Sequence, residues 1–284
     1  LPSGRVQYLP GHELTEDGDI RRCIDGARVP ISAGKIVDAG YLHNSVPKTD
    51  PPPFPVAGDV NFLCTHQLPE RAAHYEDFYV IGSGKTGMDA VTFLQGLGAS
   101  VDRIHWIVPR DPWVFNREGL QAHPSYLERM LQLTAAQLEA MAFASSVEEF
   151  EARMEAGQVW LRNDPEVRPS MASVDVIRQG YVRAVTRTHI ELDQGQVSLG
   201  PNAVVVHCAA SALTRQPPKP VFAEGRVTLQ MLRYPAPAVS AAMIAEIEQA
   251  VTGETEKNAY AEPTGVTDVS ADFLRTSLIQ QRNQ

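Results

Sequence analysis

The 284-residue sequence predicts an α/β fold built on a parallel β-sheet, and three segments carry this prediction. Phe78–Ile81 is an apolar run that enters a glycine turn and then a helical pattern. Arg103–Val108 (RIHWIV) and Ala203–His207 (AVVVH) are two further apolar runs of strand length. Apolar strands that are separated by helical segments are typical of a parallel sheet covered on both faces.

The turn after Phe78–Ile81 matches the pattern G-x-G-x-x-G, and a helix with an apolar stripe follows it. In this context the pattern predicts dinucleotide binding, because the three glycines allow a tight turn, the approach of a pyrophosphate and close packing of helix on strand. The helix N-terminus adds free N–H groups and partial positive charge. We therefore predict that this loop binds the pyrophosphate of NAD(P)H. Its six residues are Gly82, Ser83, Gly84, Lys85, Thr86 and Gly87.

Two other interpretations of this loop stay open. Gly84-Lys85-Thr86 resembles the end of a P-loop, but that motif needs a glycine five residues before its last one, where this chain has Tyr79. A P-loop phosphotransferase is therefore disfavoured. The third interpretation is a tight turn without a ligand.

The segment after the second strand bears on the choice of nucleotide. In dinucleotide folds the end of this strand meets the adenine ribose, where an acid binds a free 2′-hydroxyl and an arginine binds a 2′-phosphate. Arg110 lies in this window, so NADPH is favoured and NADH remains possible. Asp111 could instead serve the hydroxyl, or the pair could be an exposed turn.

The N-terminal part of the chain predicts antiparallel structure. Asp25-Gly26 is a hairpin signal, with Arg28–Ile31 and Lys35–Ala39 as the strands beside it in a small β-meander. The proline-rich residues 47–58 cannot form a helix, so we expect a rigid, extended crossover rather than a signalling ligand.

The remaining elements are mostly helical. Residues 124–156 predict helices, with Ser146 starting a capping box. Residues 181–200 predict a hairpin, and two more helices are expected over Ala238–Val251 and about Ser270–Gln280.

Composition narrows the class of protein. A net charge of −9 and a pI near 5.4 argue against nucleic-acid and anionic-membrane partners. No apolar run reaches the length of a transmembrane helix. Three widely spaced cysteines favour free thiols in a reducing, cytoplasmic compartment.

No pattern of side chains predicts catalysis by amino acids alone. Serine-elbow, HExxH, CxxC and Tyr-x-x-x-Lys motifs do not occur, and the eight histidines lack metal-ligand spacing, so no metal site is predicted. For His207, inside an apolar run, we expect a hydrogen-bonded structural role. If the chain is an enzyme, a cofactor must supply the chemistry.

The order of motifs resembles a known family. A meander ending in DAGY, a crossover, GSGKTGMDA, WIVPRDPWVFNR, AVVVHCAAS and a closing RVTLQ before a helix are similar to the FAD- and NAD(P)-binding flavoprotein oxidoreductases related to flavin-containing monooxygenases. The resemblance implies a Rossmann-type parallel-sheet NAD(P) domain, residues 76–200, inserted in a partial FAD-type domain, residues 1–75 and 201–284, with an antiparallel β-meander.

The resemblance also implies cofactors and site residues. Hydride would pass from NADPH to FAD in a monooxygenase-like reaction on a small-molecule substrate. Ala209, Ala210 and Ser211 would lie at the strand end close to the flavin. The family's first FAD-binding G-x-G-x-x-G is absent here, so the chain resembles a fragment of a longer protein. The alternative function is a non-catalytic module that binds or senses NAD(P) without flavin.

Overall fold

The computed structural model describes residues 6–15, 17–42, 45–110, 113–121, 123–161, 173–209, 216–233, 236–265 and 270–283. The chain divides into two compact units. Unit 1 comprises Leu1–His43 and Arg215–Gln284, and unit 2 comprises Asn44–Thr214.

The described part of the chain contains sixteen strands and seven helices. The strands are β1 (His12–Leu14), β2 (Ile20–Arg22), β3 (Arg28–Val29), β4 (Ile36–Asp38), β5 (Phe62–Cys64), β6 (Asp77–Ile81), β7 (Ile104–Ile107), β8 (Val114–Phe115), β9 (Trp160–Leu161), β10 (Asp175–Ile177), β11 (Val182–Val185), β12 (His189–Leu192), β13 (Gly195–Ser198), β14 (Ala203–His207), β15 (Phe222–Ala223) and β16 (Arg226–Thr228). The helices are α1 (Leu68–Arg71), α2 (Lys85–Gly96), α3 (Leu127–Phe143), α4 (Val147–Ala156), α5 (Pro237–Ala250), α6 (Glu254–Ala259) and α7 (Ser270–Arg282). Short 3-10 turns lie at Thr65–Gln67, Ala72–His74, Val101–Arg103, Arg117–Leu120 and Pro124–Tyr126.

Unit 2 is built on a five-stranded parallel sheet with the order β10-β7-β6-β14-β5. From β6 the chain moves outward through β7 to β10, and it returns on the other side of β6 as β14. This order confirms the predicted α/β fold class and the three predicted parallel strands. It also places the reversal of strand order between β6 and β14, where ligands bind in open α/β sheets.

The two faces of this sheet are covered by different elements, since side chains alternate along each strand. On one face Val80, Trp106 and Val206 pack with Met88 and Leu94 of α2, and all five are buried.

The other face of the sheet packs against three antiparallel strands, β11-β12-β13. Tyr79 and Val205 belong to a core with Ile190 and Leu192. The prediction of one hairpin over residues 181–200 was therefore incomplete, because the chain turns once more before β12. The Thr186 backbone N–H and hydroxyl both donate to His189 O, at 2.9 Å each, and this closes the extra turn.

The sheet also bears on the boundaries of unit 2. β5 and β14 hydrogen-bond in the same sheet as β6, so this compact unit extends beyond residues 76–200 on both sides. The assignment of the chain to NAD(P)-binding and FAD-binding domains stays a prediction.

Unit 1 contains the predicted antiparallel meander, β1-β2-β3, with one difference in pairing. The hairpin at Asp25-Gly26 joins β2 to β3, because the Arg22 side chain and the Ala27 amide both bond to the Asp25 carboxylate. The prediction that residues 35–39 flank this hairpin was wrong. β4 instead pairs in parallel with β16, and Arg226 donates to Asp38 at 2.6 Å.

Candidate functional site: a glycine loop and a pocket at the carboxyl edge of the sheet

The glycine loop leaves β6 at the carboxyl edge of the sheet, between the ends of β7 and β14. Gly82 is buried and has a φ of +124°, a conformation that favours glycine. A Cβ here would lie 2.8 Å from the Cys208 carbonyl carbon and 2.9 Å from the Ala209 nitrogen. The loop therefore touches the end of β14 backbone to backbone, and a side chain at this position would separate them.

The third glycine holds the start of α2 against the loop. A Cβ on Gly87 would lie 2.0 Å from Gly82 O, and 3.1 Å from Trp106 Nε1. The indole of Trp106 donates to Gly82 O at 2.8 Å in a buried hydrogen bond. The loop carbonyl is thus fixed by the neighbouring strand β7.

Sequence reasoning missed the role of Trp106. A tryptophan in a buried strand looks like core filler, although a buried indole N–H usually finds an acceptor. That rule could have marked Trp106 as a residue with a specific partner.

The second glycine of the loop, Gly84, has open space around its Cβ position. Nothing lies within 4 Å of the Cβ position on Gly84, which is exposed and caps α2 with extended backbone angles of −77° and 180°. Lys85 and Thr86 are exposed and Ser83 is half-buried. The first turn of α2 contains no acidic residue. No carboxylate in that turn therefore neutralises the partial positive charge at the N-terminus of the helix. Backbone of this kind can accept an anionic group such as a pyrophosphate.

Two side chains near the loop carry charge. Lys85 Nζ lies 2.8 Å from Asp89 Oδ1, one turn along α2. Arg110 is exposed and lies three residues beyond the end of β7. The structure thus puts Arg110 just beyond the strand end named in the sequence analysis, and its role in binding a 2′-phosphate stays a prediction. Asp111 lies outside the described residues.

The end of β14 continues the site. The Cys208 amide donates to Ile81 O at 2.8 Å, which extends the pairing with β6. Ala209 follows and is half-buried beside Gly82. The other two residues predicted here, Ala210 and Ser211, lie outside the described residues. All three cysteines are free thiols, and burial raises the pKa of the Cys208 thiol to about 12.

A pocket of about 180 Å³ opens at the same end of β14. Its lining residues are Ser45, Val46, Pro47, Asp50, Pro51, Pro53, His207 and Ala209. The proline-rich segment, which was predicted as a crossover, thus also forms a wall. Prolines fix the backbone without side-chain entropy cost, which suits a rigid wall.

His207 is one of the residues that line this pocket, and its ring lies against two aromatic side chains. Its side chain is 2% exposed, and the rings of Phe54 and Phe62 lie 5.7 and 5.6 Å from the imidazole. Burial lowers the pKa of His207, so the ring is neutral near pH 7. The prediction of a hydrogen-bonded structural histidine was wrong for Nδ1, which is buried and has no hydrogen-bond partner within the described part of the chain.

Three comparisons place the chain among known proteins. No protein-family model matches it. Uncharacterised proteins of Mycobacterium tuberculosis and Mycobacterium bovis are 35% identical to it over 290 residues. The match covers 97% of this chain and 54% of each relative, so the chain spans about half the length of the curated relatives it matches.

Among solved structures, the chain is similar to a pyridine nucleotide-disulfide family oxidoreductase of Enterococcus faecalis, with 12% identity, a TM-score of 0.41, and coverage of 93% of this chain and 51% of that one. It is also similar to the Kutzneria ornithine N-hydroxylase in complex with reduced FAD, NADP⁺ and L-ornithine, with 14% identity, a TM-score of 0.41, and coverage of 74% and 60%. The Escherichia coli flavoprotein disulfide reductase RclA gives 11% identity, a TM-score of 0.40, and coverage of 83% and 48%. Scores of this size do not define a common fold, so the fold assignment rests on the strand order described above.

Within the described residues, no helix is both long and apolar enough to cross a membrane.

Proposed function

We propose that this chain contributes the NAD(P)H-binding part of a flavoprotein oxidoreductase, with Gly82–Gly87 as the phosphate loop. The observation that carries the proposal is the pair of contacts around Gly82 O: a Cβ on Gly87 would lie 2.0 Å from it, and Trp106 bonds to it at 2.8 Å. The glycines are thus required by backbone packing at the point where the strand order reverses, and Gly84 stays open toward solvent.

Arg110 supports NADPH over NADH. It is exposed at the end of β7, the strand beside the loop, where it can pair with a 2′-phosphate. In this proposal Lys85 adds positive charge near the phosphates, although Asp89 shares it.

The proposal includes FAD as a reaction partner but assigns no residue of this chain to its phosphates. FAD supplies a hydride acceptor and reactivity toward oxygen or a substrate when it is bound. The 284 residues contain one G-x-G-x-x-G, so this sequence does not supply a second phosphate loop for FAD. We therefore propose that residues of this chain bind the nicotinamide dinucleotide. The proposal assigns none of them to the phosphates of FAD.

The experiment is a calorimetric titration of the purified chain with NADPH, NADH and ATP–Mg²⁺, together with a visible absorption spectrum. We expect saturable NADPH binding that is tighter than NADH binding, and an Arg110→Met variant that loses the difference. The proposal is overturned if neither nicotinamide dinucleotide binds. ATP binding that requires Mg²⁺ and is lost in Lys85→Ala would indicate a P-loop phosphotransferase instead.

The second candidate is an NAD(P)-binding or sensing module without flavin. The single G-x-G-x-x-G of the sequence favours it. This candidate would be supported over the oxidoreductase if the protein binds NADPH and shows no flavin absorbance in the visible spectrum.

A further inference from the structure

The two units share a local arrangement of strands, and the arrangement is less complete in unit 1. In unit 2 the antiparallel strands β11-β12-β13 are followed along the chain by β14, which has a parallel neighbour on each side, β5 and β6. In unit 1 the antiparallel strands β1-β2-β3 are followed by β4, which pairs in parallel with β16 on one side. Within the described residues no strand pairs with the other side of β4, so this side is an open edge of the sheet.

The backbone of β4 shows which groups this open edge offers. The Ile36 amide donates to Gly225 O at 2.8 Å, and Asp38 O accepts from the Leu229 amide at 2.9 Å, so both residues direct these groups toward β16. In a parallel ladder the residue between them directs its N–H and C=O to the opposite edge. That residue is Val37, which is 59% exposed. An open edge of this kind is a template for pairing with a further strand.

The sheet β1-β2-β3 has an apolar face that the described residues of unit 1 leave partly exposed. Leu14, Ile20 and Val29 lie opposite one another in the three strands, so they form an apolar row on one face. Leu14 is 39% exposed, Val29 is 36% exposed, and no residue of the three strands is buried. The other face is charged, and there Arg21 donates to Glu13. A sheet of this size needs a covered apolar face to be stable.

Unit 2 shows what covers such a face. Ile190 and Leu192 of its antiparallel sheet are buried in one core with Tyr79 of β6 and Ile107 of β7. The strands β6 and β7, which lie on one side of β14, therefore extend the parallel sheet and also cover the antiparallel one. The open edge of β4 and the exposed row on β1-β2-β3 have the same explanation, which is that unit 1 needs further strands beyond β4.

We propose that the open edge of β4 is a docking site for a parallel strand of apolar residues, supplied by the part of the protein that corresponds to the unmatched half of its curated relatives. The match covers 54% of each relative, so almost half of those polypeptides is available for this role. The docked strand bonds to the N–H and C=O of Val37, and its side chains cover the row of Leu14, Ile20 and Val29. It is apolar because strands inside a parallel sheet are buried on both faces. This docking site lies in unit 1 and does not depend on nucleotide binding by unit 2.

Hydrogen exchange measured by mass spectrometry tests which polypeptide occupies the edge. The 284-residue chain is compared with the full-length Mycobacterium tuberculosis relative, and the peptides that align with β4 and with β1-β2 are followed. We expect these peptides to exchange at least tenfold more slowly in the relative, because the docked strand bonds to β4 and covers the antiparallel sheet. Peptides that align with β14, which already has two parallel neighbours, are the control and should exchange at similar rates in both proteins.

A matched pair of proline substitutions separates the two edges of β4. Val37→Pro removes the N–H that points to the open edge, whereas Ile36→Pro removes the N–H that bonds to Gly225 O. In the 284-residue chain we expect Val37→Pro to lower the melting temperature by less than about 2 °C and Ile36→Pro to lower it by at least about 5 °C. In the full-length relative both aligned substitutions should lower it by at least about 5 °C, since both edges are paired there.

Three results would overturn this proposal. The first is equal exchange of the β4 peptide in the two proteins. The second is a Val37→Pro variant of the 284-residue chain that is as unstable as Ile36→Pro, because the edge would then be paired within the chain itself. The third is protection of β4 that rises with the concentration of the chain and accompanies a dimer in light scattering, which would identify a second copy as the occupant. None of these measurements involves NADPH, so the docking site and the proposed function can fail separately.

Discussion

The second and third glycines of the loop make a matched pair for testing whether backbone packing or ligand approach requires them. In Gly84→Ala the new Cβ meets nothing within 4 Å, and the backbone angles of −77° and 180° suit alanine. Replacing glycine at the N-cap lowers the free energy of unfolding, because alanine is a poorer N-cap residue. Alanine also restricts the unfolded chain, which raises the free energy of unfolding by about 0.4–1 kcal/mol. We expect the free energy of unfolding to change by less than about 1 kcal/mol.

Gly87→Ala differs in its structural cost. Its Cβ would lie 2.0 Å from Gly82 O, so the start of α2 must move away from the loop. Overpacking of this kind costs about 1–3 kcal/mol. Movement of the loop also breaks the buried bond from Trp106, which costs about 1–3 kcal/mol more. The higher helix propensity of alanine stabilises the helix by about 1 kcal/mol. We therefore expect the free energy of unfolding to fall by about 1–5 kcal/mol in total.

Gly84→Ala should lower the affinity for NADPH although it hardly changes the free energy of unfolding. A methyl group on Gly84 occupies the space through which a pyrophosphate approaches the backbone, so NADPH affinity should fall at least tenfold, or about 1.4 kcal/mol. Urea unfolding and NADPH calorimetry are measured on both variants. Gly58→Ala, an exposed glycine of the same unit with open space around it, is the control and should change neither quantity. Wild-type NADPH affinity in Gly84→Ala would refute the assignment of the phosphate loop.

Three further outcomes test the described geometry. Trp106→Phe should lower the free energy of unfolding by about 1–3 kcal/mol in urea, because Gly82 O loses its buried donor; an unchanged value would contradict the role of this bond. Hydrogen bonds from Ser145 lower the pKa of Glu149 to about 2 from its ordinary 4.5, so the stability it contributes is complete above pH 4.5 and is lost as the pH falls toward 2. Glu149→Gln should therefore flatten the pH dependence of unfolding in that window, and an unaltered slope would refute this. Cys208, with a thiol pKa of about 12, should react with a disulfide reagent at pH 8 only after unfolding.

The sequence was informative where the signal is local. The glycine spacing and the apolar strands predicted the position of the loop between strand and helix, because each glycine has a backbone requirement that depends on its neighbours in sequence. The predicted cap at Ser146 is present, since its side chain accepts from the Glu149 amide, but the other half of the predicted capping box is not, because the Glu149 carboxylate accepts from the Ser145 amide instead. These features depend on residues within a few positions of one another.

The sequence was less informative where the partner is distant. β4 pairs with β16 across about 190 positions, and no turn signal specifies that pairing. The proline-rich segment was recognised as extended, but its role as a pocket wall depends on the end of β14, more than 150 residues away. The unsatisfied Nδ1 of His207 could not be predicted at all, since it depends on which groups fail to reach it.

The rigidity of the loop follows from the same long-range contacts. Gly82 is held on one side by the backbone of Cys208 and Ala209, which directly follow β14, and on the other by the indole of Trp106 on β7. Both strands are neighbours of β6 in the sheet, so the loop is fixed by three adjacent strands rather than by its own turn. A phosphate that binds there would therefore meet amides already in position, and would lose less affinity to ordering of the loop. A G-x-G-x-x-G without these two partners would have the same sequence pattern and a weaker site.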